Sequence, residues 1–211
     1  MLNTPETLTS LGHVVVVDDD ASVRRSLQAM LERSGYQVSV HDSAEAFLQT
    51  PSVSSPGVIL LDMRMPGLTG VGLQKQLPQL LLNVPVVFMS GDSRPDEIIV
   101  AMKQGAFDFL LKPFTAQALL DVMQRAMDQA HQRQVTSTQK AKISEQLQRL
   151  TPRELEMCKW MVRGYSNKQI ASFDGAAPAT IKLHRAHVME KMGVKTLPEL
   201  IEVLGHQFEP S

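Results

Sequence analysis

The sequence predicts two domains of different class: a doubly wound, five-stranded parallel α/β domain, followed by a smaller all-α domain. Three observations carry that prediction. Short, β-branched apolar segments alternate with helical patterns through the first 130 residues. Several of those segments are apolar throughout, as strands buried on both faces should be. After about residue 145 the strand signals stop, and the remaining segments read as short helices with recognisable starts and stops.

Strands are expected at His13–Val17, Gln37–His41, Gly57–Leu61, Val84–Met89 and Asp108–Leu111. Between the first two, Val23, Leu27, Met30 and Leu31 recur at helical spacing and end at the helix stop Ser34-Gly35. Pro51 to Pro56, rich in Ser and Pro, reads as a loop. Five strand–helix units in succession imply a parallel sheet with helical crossovers. A helix from Gln117 to Ala130 follows, carrying Leu119, Leu120, Val122, Met123, Ala126 and Met127. The polar stretch 131–145 reads as a linker, with Thr136-Ser137-Thr138 as its expected break. The two domains are therefore expected at 12–130 and 146–207.

The strand ends carry the chemistry. The first strand runs into Asp18-Asp19-Asp20, the third into Asp62, the fourth into Ser90-Gly91 and the fifth into Lys112-Pro113. In a doubly wound sheet the carboxyl ends of the strands share one edge, and ligands bind there. Clustered carboxylates persist only if a cation compensates them or one stays protonated. Mg²⁺ takes one or two carboxylates, waters and often a phosphate. Lys112 adds a point charge suited to a phosphoryl oxygen, and Ser90 a hydroxyl that can hydrogen-bond it. Asp62, alone at the end of a central strand, is the candidate nucleophile for an aspartyl phosphate, with Asp18 and Asp19 as metal ligands. Asp20 reads as the cap of the next helix. Taken singly, each of these residues is an ordinary loop or cap residue; the four segments in this order are far more specific.

These segments resemble the receiver domain of two-component response regulators over about residues 12 to 130. The resemblance rests on Val14–Asp20, Leu61-Asp62-Met63-Arg64-Met65-Pro66-Gly67, Met89-Ser90-Gly91, and Gly105-Ala106-Phe107-Asp108-Phe109-Leu110-Leu111-Lys112-Pro113-Phe114. It implies a flavodoxin-like sheet, a histidine kinase as partner and Mg²⁺ as cofactor. It also implies that Asp62 accepts the phosphoryl group, that Asp18, Asp19, Asp62 and the Arg64 carbonyl hold the metal, and that Ser90 and Lys112 contact the phosphoryl group. Phe109 takes the aromatic switch position. Arg64 and Asp92, two residues past Asp62 and Ser90, are expected to face each other across the mouth of the site and to set the lifetime of the phosphoryl group.

Composition agrees with a division of labour. The formal net charge of −1 hides an asymmetry: nine Lys+Arg against fourteen Asp+Glu up to Ala130, net −5, and twelve against eight after it, net +4. Only the second half is then suited to a polyanion. The single cysteine, Cys158, forms no disulfide within the chain and sits beside Met157 and Trp160, as a buried thiol would. No Lys or Arg precedes Arg24, and no apolar run nears the ~20 residues that span a bilayer. A cytoplasmic, membrane-free protein is expected.

In the second half, Thr151-Pro152-Arg153-Glu154 opens a helix as a capping box with Pro at its first position, and Gly164 stops it. A second helix runs from Ser166-Asn167 to Asp174-Gly175, a third from Pro178 to Met192, and a fourth from Thr196-Leu197-Pro198 to about Leu204. Two short helices, a tight turn and a longer basic helix make a helix-turn-helix pattern. On the long helix Ile181, Val188 and Met192 form one stripe, while Lys182, Leu183 and Ala186 share another face, free to enter a groove of duplex DNA. A solvated helix face is the plainer alternative for such charges.

This segment resembles the LuxR-type DNA-binding domain of FixJ/NarL regulators, through Leu150–Glu154, Gly164–Ala171, Thr180–Arg185 and Met189–Val194. The run Ala101-Met102-Lys103-Gln104-Gly105-Ala106 favours the FixJ branch. By this resemblance Lys182 and Leu183 read base edges, with His184 and Ala186 beside them, while Asn167, Lys168, Thr180 and Arg185 grip the DNA backbone. The chain departs from the pattern at Asp174-Gly175-Ala176, where the family has Leu-Gly-Ile; two core side chains are lost, and Phe173 is expected to fill the gap. The whole reads as a non-enzymatic transcription factor switched by phosphorylation, a homodimer when phosphorylated, with RNA polymerase as a further candidate partner. Two other readings compete. A Mg²⁺-dependent aspartyl-phosphate phosphatase needs a second Asp two residues past its nucleophile, where this chain has Arg64. An RNA-binding antiterminator would lack the recognition-helix pattern.

Overall fold

Strand pairing in the computed structural model runs β2-β1-β3-β4-β5, all parallel. The structure describes residues 10–91, 94–205 and 208. Elements alternate as β1 (His13–Val17), α1 (Ala21–Arg33), β2 (Gln37–His41), α2 (Ala44–Gln49), β3 (Gly57–Asp62), α3 (Gly70–Gln76), a 3-10 turn at Leu77–Leu80, β4 (Val86–Ser90), α4 (Pro95–Lys103), β5 (Asp108–Leu111) and α5 (Ala116–Gln148). Side chains alternate across each strand, and that parity divides the core in two. Val14, Val16, Val58 and Leu60 pack with Leu27 and Leu31 of α1 and Leu119 and Met123 of α5. Val15, Val17, Ile59 and Leu61 pack on the other face with Phe47 of α2, Leu73 of α3 and Ala101 of α4. Each such aliphatic burial is worth roughly 1.5–3 kcal/mol, and the interior positions of the central strands β1, β3 and β4 are all apolar. The expected doubly wound sheet is the one observed.

The chain divides into two compact units between Val135 and Thr136. In the second unit α6 (Pro152–Val162), α7 (Asn167–Asp174), α8 (Pro178–Met192) and α9 (Leu197–Leu204) enclose Met157, Cys158, Met161, Ile170, Ile181, Val188, Leu200 and Leu204. Ile143 is buried in the same core, and Leu147 packs against it. Capping boxes at Thr151/Glu154 and Ser166/Gln169 start α6 and α7. No helix among the described residues is long and apolar enough to cross a membrane.

Three expectations are corrected. The helix expected to end at Ala130, with a break at Thr136-Ser137-Thr138, continues to Gln148. Residues 116–148 contain neither Gly nor Pro, and Ser and Thr weaken a helix by only a few tenths of a kcal/mol each, roughly. β4 begins at Val86, not Val84, because Pro85 lacks the amide hydrogen a ladder needs. Phe173 does not fill the gap beside Asp174. It is 57 % exposed and lies against the rings of Tyr165 and Trp160, at 5.2 and 6.3 Å between centroids. Asp174 is itself buried and ion-paired with Arg153 at the start of α6, so a charge pair stands where an apolar residue was expected.

Candidate functional site

The carboxyl edge of the sheet brings together the residues expected there. β1 delivers Asp18, 1 % exposed, and β3 delivers Asp62, 6 % exposed. Lys112, which follows β5, donates from Nζ to Asp18 Oδ2 at 2.7 Å and to Asp62 Oδ1 at 2.6 Å. Its main chain is tied to the end of β4, where Lys112 N donates to the Ser90 carbonyl at 2.8 Å. Ser90 is buried. Asp18 Oδ1 accepts the Asp20 amide at 2.9 Å, and Asp62 Oδ2 accepts the Arg64 amide at 2.8 Å. Each buried carboxylate is thus aimed by its own turn and shares one ammonium. Asp19 is exposed, and Asp20 caps α1 by accepting from the Ser22 and Val23 amides.

Burial pushes the Asp62 carboxyl above its usual range, against the pull of the Lys112 hydrogen bond and charge. Burial also works against the Lys112 ammonium, but its hydrogen bonds to Asp18 and Asp62 outweigh this and raise it. The site is therefore a desolvated pair of carboxylates that share the Lys112 ammonium at the carboxyl edge of the sheet. Among the described residues, no three His, Cys, Asp or Glu side chains converge on one point as a ready-made metal cage. Phe109, on β5, is half-buried and packs against the core face that includes Phe88 and Ala101.

The loop after Asp62 is anchored by residues that sequence reading did not single out. Glu45 Oε1 of α2 accepts the Leu68 amide at 2.7 Å. Glu97 Oε2 of α4 accepts from Arg64 Nη2 at 2.9 Å and from the Arg94 amide at 3.1 Å. Gly70 lies so close to the Asp62 carbonyl that a β-carbon there would stand 2.2 Å from it. No local pattern links Glu45 or Glu97 to Asp62; the chain separation hides them. The expected pairing of Arg64 with Asp92 lies outside the described residues.

In the second unit, Lys168, Thr180, Lys182, Leu183 and Ala186 are exposed, and Asn167 and His184 are half-buried. Leu183, 56 % exposed, is an apolar side chain on an otherwise polar face. Arg185 is drawn inward, donating from Nη1 to the Tyr165 carbonyl at 3.4 Å, and burial lowers its pKa. Lys191, near the end of α8, donates to Glu154 Oε2 at 2.6 Å. Glu154 is 5 % exposed. The Lys191 hydrogen bond first, then the Thr151 amide, holds its carboxyl at about 2.

The comparisons with known proteins agree with both halves. Residues 14–124 match the response regulator receiver domain, and residues 148–204 match the bacterial regulatory proteins of the luxR family. The transcriptional regulatory protein FixJ of Rhizobium meliloti is 37 % identical over 199 residues, spanning 94 % of this chain and 98 % of FixJ. The solved structure of the response regulator StyR is 36 % identical with a TM-score of 0.84, over 92 % of this chain and 98 % of StyR. Full-length FixJ from B. japonicum superposes with a TM-score of 0.59 at 36 % identity, over 93 % and 97 % of the two chains. Nothing in these comparisons supports the phosphatase reading. With a receiver match over more than half of its length and a luxR-type match over most of the rest, the chain belongs to the FixJ-type response regulators, the transcriptional regulators of two-component systems.

Proposed function

We propose that Asp62 is the phosphoacceptor of this regulator and that its phosphorylation by a histidine kinase switches the association of the protein and its binding to DNA. The observation that carries this reading is the buried Asp62 carboxylate held 2.6 Å from Lys112 Nζ at the open edge of the sheet. An Asp62 oxygen forms the new P–O bond as the P–N bond of the kinase phosphohistidine breaks. The ring, protonated on its other nitrogen, takes the electron pair of the P–N bond and leaves as neutral imidazole, and Asp62 carries the mixed anhydride. Lys112 and Ser90 then contact the phosphoryl oxygens, and Phe109 follows the change at Ser90.

The donor set fits Mg²⁺. Hard divalent cations take carboxylate and main-chain oxygen and keep waters, and Asp18, Asp62 and the Arg64 carbonyl supply such oxygens, with exposed Asp19 beside them. The chemistry a bound Mg²⁺ supplies is neutralisation of charge where a carboxylate meets a phosphoryl group. Lys112 alone offsets only one of the negative charges gathered there.

In the second unit we read α8 as the recognition helix. Lys182 and Leu183 contact base edges, with His184 and Ala186 beside them; Asn167, Lys168, Thr180 and Arg185 fix the duplex through its backbone. The regulator works in the cytoplasm, with operator DNA and RNA polymerase as its partners. Incubation with acetyl phosphate and Mg²⁺ adds one phosphate to the intact protein, read by mass. An Asp62→Ala variant that still gains it removes Asp62 from the role.

A further inference from the structure

The buried residues of the helix α8 are Ile181, Val188 and Met192, at i, i+7 and i+11, which form a single row; Met189 packs against the same core, partly buried. In the middle of the helix Arg185 donates to the Tyr165 carbonyl over a long 3.4 Å. So narrow a row keeps a helix from lifting away but resists rotation about its own axis weakly. Ala177, at the cap of α8, makes no side-chain hydrogen bond. The far end is fastened. Lys191 reaches Glu154, and Gln146 Nε2 donates to the Met192 carbonyl at 2.9 Å. That carbonyl belongs to the last turn, whose oxygens have no partner within the helix. Gly193, at φ 66°, turns the chain away there and leaves the oxygen open to Gln146. Gln146 is itself held in place, flanked on α5 by buried Ile143 and by Leu147, which packs on the same core.

We propose that Gln146, upstream of the matched luxR-family region, which begins at residue 148, is a positioning residue for DNA recognition. Its amide fastens the last turn of α8 and fixes the rotation at which Lys182 and Leu183 meet base edges. The inference rests on α8 being the recognition helix. Side-chain tips lie about 5–6 Å from a helix axis, so a rotation of about 10° moves them by about 1 Å. That exceeds the roughly 0.5 Å within which a functional constellation must be held. The DNA-reading unit therefore extends upstream to at least Gln146.

The test uses the full-length protein and a duplex that the wild type selects from a random pool, beside a scrambled duplex of equal length and composition. Affinity for each is read by anisotropy, and folding of the second unit by the fluorescence of Trp160, the sole tryptophan. Gln146→Ala weakens the selected duplex by roughly two- to tenfold and leaves the scrambled duplex and the Trp160 unfolding midpoint unchanged. Gln146→Lys keeps a donor at a helix C-terminus and holds the ratio of the two affinities near the wild-type value. Gln146→Glu, an acceptor with a negative charge, falls below Ala. Equal losses on both duplexes, or selectivity that survives Gln146→Ala but not Lys182→Ala, overturns the proposal alone. A wild type that selects no duplex, or selectivity indifferent to Lys182→Ala, overturns the reading of α8 and the proposal with it.

Discussion

At Asp62, function and stability pull in opposite directions. Two buried carboxylates share one ammonium, and Asp19 adds a further negative charge at the same edge. Burial disfavours a charge that is not fully compensated, so the folded state carries a cost for keeping an ionised carboxylate there. Removing that charge while keeping the shape relieves the cost. In a chelator, Asp62→Asn is expected to raise the unfolding temperature of the first unit by about 2–6 °C, equivalent to ~1 kcal/mol, while abolishing phosphorylation. A midpoint that falls instead shows that the Lys112 hydrogen bond outweighs the crowding of charge. These residues were legible in sequence because each ends an apolar strand, and strand order carries them to one edge. Glu45 and Glu97 were not legible. They approach the loop after Asp62 from α2 and α4, which only the packed fold brings near.

At the scale of elements, helix starts were the easiest to read, because their signals are local. Thr151, Pro152 and Glu154 announce α6 within four residues. The second role of Glu154 was invisible, since its partner Lys191 is 37 residues away. This pair gives a pH signature. The fold holds the Glu154 carboxyl at about 2 against an ordinary 4.5, so the ionised form is favoured by folding. Its contribution is complete above 4.5 and is lost as pH falls through about 2. Glu154→Gln is expected to lower the stability of the second unit at pH 7 by about 1–2 kcal/mol, followed by Trp160 fluorescence in urea. The difference from wild type should shrink between pH 4.5 and 2; a difference independent of pH would assign the loss to packing. The turn before α8 was misread because the expected filler was apolar. The structure uses Arg153 and Asp174 there and leaves Phe173 at the surface. Recognition by α8 itself is expected to follow the exposed face. Lys182→Ala should relax preference at one operator position at a cost of about 1–3 kcal/mol, read by selection from randomised duplexes. A uniform loss across sequences would place Lys182 on the DNA backbone instead.

For the whole molecule, the decisive question is how a phosphoryl group on one unit changes what the protein does on DNA. A single helix-turn-helix module buries little surface, so tight specific binding calls for two of them on half-sites about one helical turn apart. The first unit offers a face on which such a pair can form. Ile99, Val100 and Met102 of α4 and Leu111 of β5 are exposed large apolar side chains, and exposed patches of that kind mark interaction sites. Beside them Asp108 of β5 is ion-paired with Arg125 of α5 at 2.6 Å. Phe109 lies on the same strand as Asp108 and Leu111, and packs against the core that includes Ala101 of α4. On the proposed switch, movement of Phe109 after phosphorylation is expected to remodel α4 and β5 together. A nearly complete switch requires phosphorylation to favour the paired state by about 5.5 kcal/mol; less suffices where DNA supplies part of the pairing through effective concentration. Sedimentation velocity is expected to show a monomer without phosphate and a dimer with it, and Ile99→Asp is expected to keep the phosphorylated protein monomeric while leaving its phosphate content unchanged. A phosphorylated protein that stays monomeric yet binds its operator more tightly would reject switching by association, and would locate the control within one chain, in the release of an internal block on α8.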